Sequence, residues 1–462
     1  MTTKEKRGPK MRGNSKQDFI LTGNMYKVIG TLALPIMINN LIQTLYNLVD
    51  GVWVSKIGSV PFAATAFVWP INFLFVSIGG GLAIAGTSLI AQFMGADDKE
   101  QAKRYATQLL VLSVVAGLLF AGIGFLLTPL FIKMMGGEGD ILTYGSIYLR
   151  ITLLDMPFMF FFSIFNAIMN AQGNTVLPTV LSGISALMNM ILDPILIFNY
   201  NMGVAGAAYA TLISRVFLAV VAGGLLMTKF TVIKPDFKKF KFDPIILKRS
   251  IQVALPASIG QSGSALGFMV LNGFIVSYGE ATMAAFGMVN RITALISQPA
   301  MGIGAALVAI SGQNLGAKQF ERAEEGFKKS FILTCIMGML GCIFMLWQDE
   351  LVINFFMQSK DNPDVIAQGI TYLQYIAFSM PLMGIFSVLQ GIFQGSGNTK
   401  YAMYMEIGRL WCIRLPLILI FKTFTNIGPV GIWFSMSFSN LVICIYGGLM
   451  YRRGKWNQTI IK

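Results

Sequence analysis

Residues 28–54 read VIGTLALPIMINNLIQTLYNLVDGVWV, a run with one charge, Asp50, near its end and one proline, Pro35, near its start. About 20 apolar residues cross the roughly 30 Å hydrocarbon layer, so this stretch is long enough to span a membrane. The rest of the chain has the same character. It is 55% hydrophobic and only 12% charged over 462 residues, with mean hydropathy +0.66, whereas a soluble protein carries about 25% charged residues. No charge interrupts Lys56 to Asp97, Arg104 to Lys133, Asp364 to Lys400 or Lys422 to Arg452. Apolar runs and their Gly, Pro and charge punctuation predict twelve spans, near 28–54, 61–93, 106–132, 142–170, 177–200, 204–228, 251–277, 282–313, 328–348, 366–395, 401–423 and 427–451.

The composition also excludes chemistries. With no histidine there is no imidazole base, relay or metal ligand. Cys335, Cys342, Cys412 and Cys444 all fall inside apolar runs, which argues against a disulfide framework or a Cys metal site. A net charge of +14 raises the question of nucleic acid, and its placement answers it. Most Lys and Arg sit in the N-terminal arm, the even-to-odd loops and the tail, while only Lys56, Lys133, Lys360 and Lys422 lie on the other side. The positive-inside rule then makes this a multi-pass protein of the plasma (cytoplasmic) membrane with both termini cytoplasmic, and nucleic acid becomes a remote partner. The densest basic stretch, KPDFKKFK at 234–241, fits either a plain linker or a segment lying on the anionic inner leaflet.

The two halves repeat each other. Ala33-Leu34-Pro35 returns 221 positions on as Ala254-Leu255-Pro256, and Gln92, Gly95 and Ala96 return as Gln313, Gly316 and Ala317. Tyr148-Leu149, Pro157 and Gly173-Asn174-Thr175 recur at 224, and Gly203 and Gly206 at 225. Six spans per repeat give both halves one orientation. The expected fold is therefore an all-α integral membrane protein with 12 transmembrane helices in two parallel six-helix bundles, related by a pseudo-two-fold axis along the membrane normal. Its parts are a basic cytoplasmic arm at 1–24, an N-terminal six-helix lobe at 25–229, a basic linker at 230–249, a C-terminal lobe at 250–451 and a cytoplasmic tail at 452–462. The polar loops GADDKEQAKR and GAKQFERAEE predict short bracing helices after the second and eighth spans.

ALP opening the first and seventh spans, QFMGA and QNLGA closing the second and eighth, and QGNT and GSGNT after the fourth and tenth resemble the MATE family of multidrug and toxic compound extrusion transporters. The resemblance runs from about Met25 to Met450. It implies the fold above and efflux of amphipathic, often cationic organic compounds in exchange for Na⁺ or H⁺ by alternating access. It implies no cofactor beyond the coupling ion, and small-molecule substrates and membrane lipids as partners of a chain expected to act as a monomer.

Four carboxylates lie well inside spans: Asp50, Asp155, Asp193 and Glu406. Such groups cost several kcal/mol unless paired or hydrated, so each is a functional candidate. Asp50, Asp193 and Thr211 fall at similar depth below the outer surface, and Asn189 sits one turn from Asp193 on the same helical face. Their carboxylate, amide and hydroxyl oxygens suit a hard monovalent cation, and buried carboxylates can equally carry H⁺. These four positions also match, with the segments YNLVD and NMILDP, the coupling site of the prokaryotic MATE branch resembling DinF. Pro35 matches that family's kink-forming proline. Asp50, Asn189, Asp193 and Thr211 correspond to Leu271, Ile413, Leu417 and Met436 in the second half, so the fold itself does not demand polar groups there. Asp155, Arg215 and Gln261 are accessory candidates: Asp155 either joins the cation site or pairs with an arginine, and Arg215 balances the carboxylates. Glu406 and Arg409, three apart, read as a structural ion pair.

Two rivals remain. A lipid-linked precursor flippase of the same superfamily would call for a more basic cavity and often further spans. A membrane-embedded enzyme would need a nucleophile with its base or a metal cluster, and the adjacent acidic pair Asp97-Asp98 is in a polar loop.

Overall fold

The computed structural model describes residues 15–228, 231–238, 240–347 and 363–461. Residues 1–14 of the basic arm, Lys360 and the end of the ninth predicted span lie outside the described residues. In chain order the helices are α1 (Ser15–Thr22), α2 (Met25–Ser55), α3 (Ser59–Gly95), α4 (Lys99–Met134), α5 (Gly139–Leu153), α6 (Met156–Ala171), α7 (Val176–Pro194) and α8 (Gly203–Leu226). The second half continues with α9 (Pro244–Val276), α10 (Glu280–Gly316), α11 (Phe320–Trp347), α12 (Pro363–Ala377), α13 (Ser379–Gly395), α14 (Thr399–Ile407), α15 (Leu415–Phe424) and α16 (Val430–Arg452).

Among the described residues nine helices are long and apolar enough to cross a membrane, and two bent pairs raise the number to eleven. The expected spans at 142–170 and 366–395 are these pairs. They break between α5 and α6 by 45° and between α12 and α13 by 47°. Pro157 and Pro381 stand just past the breaks, where a residue without an N–H ends the backbone ladder of the preceding helix. The eleventh expected span, at 401–423, is helical from Thr399 to Phe424 but changes to a π-helical pattern over Gly408–Arg414, so neither of its α-helical parts is by itself long enough to cross.

One other expectation changes. GADDKEQAKR and GAKQFERAEE do not form separate bracing helices; Lys99–Met134 and Phe320–Trp347 run unbroken out of these loops. The polar arm is partly a docked element. In α1, Ile20 is fully buried, the Gln17 amide donates to the Met94 carbonyl (2.6 Å), and Arg322 donates to the carbonyls of Ile20 and Gly23. The basic linker is pinned rather than loose: the Val232 N–H donates to Gln172 Oε1 (2.6 Å) and that of Asp236 to Thr107 Oγ1 (3.1 Å).

The halves meet where α3 packs along α9 and α10 packs along α2 and α3. The hydrogen bonds that join them run along α3 from its middle, where Ser77 meets Ser262 and Ser258 donates to the Ile78 carbonyl, to its Gly95 end. Gln92 and Ser88 donate to the Gly395 carbonyl at the end of α13 (3.0 and 3.2 Å), and Gln313 donates to the Ala171 carbonyl at the end of α6 (2.7 Å). Each glutamine thus caps the helix end of the opposite half. Gly95 and Gly316 permit this crossing, because a Cβ on either would overlap the facing carbonyl of Gln313 or Gln92. Toward the other end of α3, Trp69 is exposed.

Candidate functional site

Three helices of the first half converge near the end remote from the termini. Asp50 precedes the end of α2 by about 8 Å, and Thr211 follows the start of α8 by about 12 Å. Asp193 is next to the end of α7, where Pro194 removes a backbone donor and the helix widens into a π-helical turn, Ile195–Asn199. Gly206 lets α8 approach this turn, since a Cβ there would meet the Leu196 carbonyl. A small apolar cluster of Val54, Ile197 and Ala207 holds the three elements together just beyond the carboxylates.

The polar geometry is specific. Asp193 is fully buried and Asn189 almost so. Hydrogen-bond satisfaction orients the Asn189 amide so that its nitrogen donates to Asp193 Oδ2 (3.0 Å) while its oxygen accepts from the Thr211 N–H (3.1 Å) and hydroxyl (3.2 Å). The Thr211 hydroxyl is also 3.2 Å from the Tyr46 hydroxyl. Asp50 is close enough to Asp193 for direct charge coupling. One buried oxygen of each carboxylate, Asp50 Oδ1 and Asp193 Oδ1, has no hydrogen-bond partner. A buried carboxylate oxygen without a donor is costly and is an acceptor for a cation or a proton. Among the described residues no group of three or more His, Cys, Asp or Glu forms a metal cluster. Two carboxylates with neutral oxygens instead match the needs of a weakly held monovalent ion.

The accessory candidates separate. Asp155 is buried at the α5–α6 break and interacts electrostatically with Arg215. It does not pair with Arg150, whose side chain turns to the Phe125 carbonyl (3.3 Å) and ring. Arg215 lines a water-sized cavity of about 10 Å³ with Gln43, Tyr46, Ser182, Asn189 and Thr211. Gln261 lies elsewhere, in a cavity of about 480 Å³ in the second half. Pro35 is in the interior of α2, and its carbonyl accepts from Thr179 Oγ1 of α7 (2.9 Å). Tyr148 carries no signal of its own in the sequence: it packs against the Val54, Ile197 and Ala207 cluster just beyond the carboxylates, within electrostatic range of Asp50, Asp155 and Asp193. Its recurrence as Tyr372 marked only the repeat.

The second half has the opposite polarity. Glu406 and Arg409 do pair at 3.4 Å, but the carboxylate also lines the 480 Å³ cavity, accepting from Gln390 (2.7 Å) and Ser264 (2.6 Å). Met301, Met383, Met403 and Phe386 form its apolar walls. Arg414 is buried, has no carboxylate partner among the described residues, and donates to Ser439 (3.0 Å), Asn440 (3.1 Å) and the Met436 carbonyl (3.3 Å). Its contact with Met436 mirrors that of Asn189 with Thr211. Arg414 stands one residue past Ile413, the position that answers Asn189 at the repeat displacement.

A protein-family model described as MatE matches residues 35–195 and 256–420. The probable multidrug resistance protein YpnP of Bacillus subtilis is 27% identical over 438 residues, covering 94% of this chain and 96% of its own length. The probable multidrug resistance protein NorM of Thermotoga maritima is 23% identical, covering 93% of each. A solved multidrug resistance MATE family transporter of the MOP superfamily, in an outward-facing conformation, matches with a TM-score of 0.90 and 27% identity over 96% of this chain and 98% of that one. A MOP superfamily transporter from Pyrococcus furiosus, described as having a binding pocket of reverse polarity, matches with a TM-score of 0.90 and 27% identity over 97% and 100%.

Proposed function

Because the chain belongs to the MATE family of membrane transporters, we propose that it expels amphipathic, often cationic organic compounds in exchange for Na⁺ or H⁺ entering at Asp50, Asn189, Asp193 and Thr211. It is a transporter, not an enzyme. In this reading it works in the cytoplasmic membrane with both termini inside, and the conformation described, closed on the side of the termini, is outward-facing. The likeness to an outward-facing MATE transporter supports that assignment.

The observation that carries the reading is the pair of buried, unpartnered oxygens on Asp50 and Asp193. Two neighbouring carboxylates are unfavourable when both are charged and bare, and a cation or a proton relieves the repulsion. Asn189 and Thr211 hold Asp193 in place, and Tyr148 and Arg215 complete the surroundings. The organic substrate occupies the larger cavity, where the methionines and Phe386 receive an apolar body and a cationic group competes with Arg409 for the Glu406 carboxylate. Pro35 leaves the Thr31 carbonyl without its intrahelical donor, so α2 bends there at low cost and links the ion site to the closed side. Exchange requires that ion and substrate each bind one conformation better than the other.

Reciprocal linkage gives the test. A fluorescent organic cation bound to the purified protein is expected to be displaced as Na⁺ is added or the pH is lowered, and Asp50→Asn and Asp193→Asn are each expected to abolish that displacement while the dye still binds. Unchanged displacement in both variants would remove these residues from the coupling site.

A further inference from the structure

On the outer face of the second half, α11, α13 and α16 leave an open groove of about 580 Å³ that faces where the bilayer would be. Phe331, Ile332, Leu382, Leu441 and Ile445 line it, and at its terminus-side end stand Lys328 and Arg452. Gly448 keeps the groove open: a Cβ added there meets nothing within 4 Å, whereas one at Gly447, on the other face of α16, would press on Leu389 and Met405. Lys328 has one partner, Glu324 on its own helix at 2.7 Å, and Arg452 is exposed with no carboxylate partner among the described residues.

We propose that this groove is a binding site for one anionic phospholipid of the leaflet on the side of the termini. Length and charge both point to that occupant. From Leu441 to Arg452 the groove follows α16 for about 16 Å, close to half of the roughly 30 Å hydrocarbon layer. It therefore takes a tail of one leaflet's depth and leaves the headgroup level with the two cations. A guanidinium without an internal acid pairs with phosphate in bidentate geometry, and basic residues at this level of a membrane protein attract anionic headgroups. A zwitterionic lipid fits the apolar walls equally well but gains no net charge attraction at the mouth. The site is separate from the ion site and from the Glu406 cavity, so it stands whether or not the exchange described above is correct.

Native mass spectrometry of the purified full chain with added phosphatidylglycerol or phosphatidylcholine reads the binding directly. Phosphatidylglycerol is expected to be retained in preference. Arg452→Gln and Lys328→Gln are each expected to weaken it by about fivefold. Gly448→Leu, which fills open space, is expected to remove it, while Gly122→Leu, where an added Cβ also meets nothing within 4 Å, leaves it intact. Equal retention of the two lipids by the native protein, or undiminished phosphatidylglycerol binding in both Arg452→Gln and Gly448→Leu, would overturn the proposal.

Discussion

Asp193 is legible from sequence because an acidic side chain inside an apolar run is rare enough to stand out, and the same holds for Asp50. The groups that orient these carboxylates are less visible. Tyr148 reads as one more aromatic in a membrane helix, and only the fold brings it within electrostatic range of Asp50, Asp155 and Asp193. Tyr148→Phe removes a single hydroxyl near the carboxylates, so the protein should fold normally while the cation concentration needed to displace bound dye rises about threefold, the low end of what one polar group contributes. Arg414 is hidden for a different reason: its partners are a serine, an asparagine and a carbonyl rather than an acid, which no charge pattern reveals. Arg414→Ala opens a cavity and strands those partners. A loss of about 2–4 kcal/mol is expected in thermal unfolding of the detergent-solubilised protein.

Uninterrupted apolar runs announce the helices, but not where they break. The prolines at 157 and 381 recur at the repeat distance, and from sequence alone each is compatible with a tolerated proline within one helix. The 45° and 47° bends emerge because the chain restarts a new helix just before them. The π-helical stretches at Ile195–Asn199 and Gly408–Arg414 are similarly silent in hydropathy, which does not distinguish one helical hydrogen-bond pattern from another. The crossing of α3 and α10 offers a direct check on how tightly these elements meet. Gly95→Ala and Gly316→Ala each force a methyl group against a facing backbone carbonyl. Each should cost about 1–3 kcal/mol in thermal unfolding, and the double variant should cost less than the sum, since both relieve or burden the same contact.

The two halves share a plan and differ in charge. The first presents carboxylates at the end remote from the termini, and the second has apolar residues at the matching positions, a buried arginine beside one of them and a glutamate in a separate cavity. The repeat itself was readable from colinear matches such as ALP at 33–35 and 254–256. Which side the halves close on was not, because closure rests on pairs such as Gln92 with Gly395 and Gln313 with Ala171 that lie far apart in the chain. Both ends of the chain join that closure. Gln17 reaches Met94, and the Ile460 N–H donates to Gln92 Oε1 (3.1 Å). In the proposed exchange, a molecule closed by its termini on one side and carrying bare carboxylates near the other takes up an ion from the second side before it opens the first. Substrate uptake into proteoliposomes under a Na⁺ gradient alone, an H⁺ gradient alone and no gradient tests this most directly. The native protein should concentrate a cationic dye under at least one gradient, and Asp193→Asn should reduce that to the level without a gradient. Gradient-driven uptake that persists undiminished in Asp193→Asn would contradict the account.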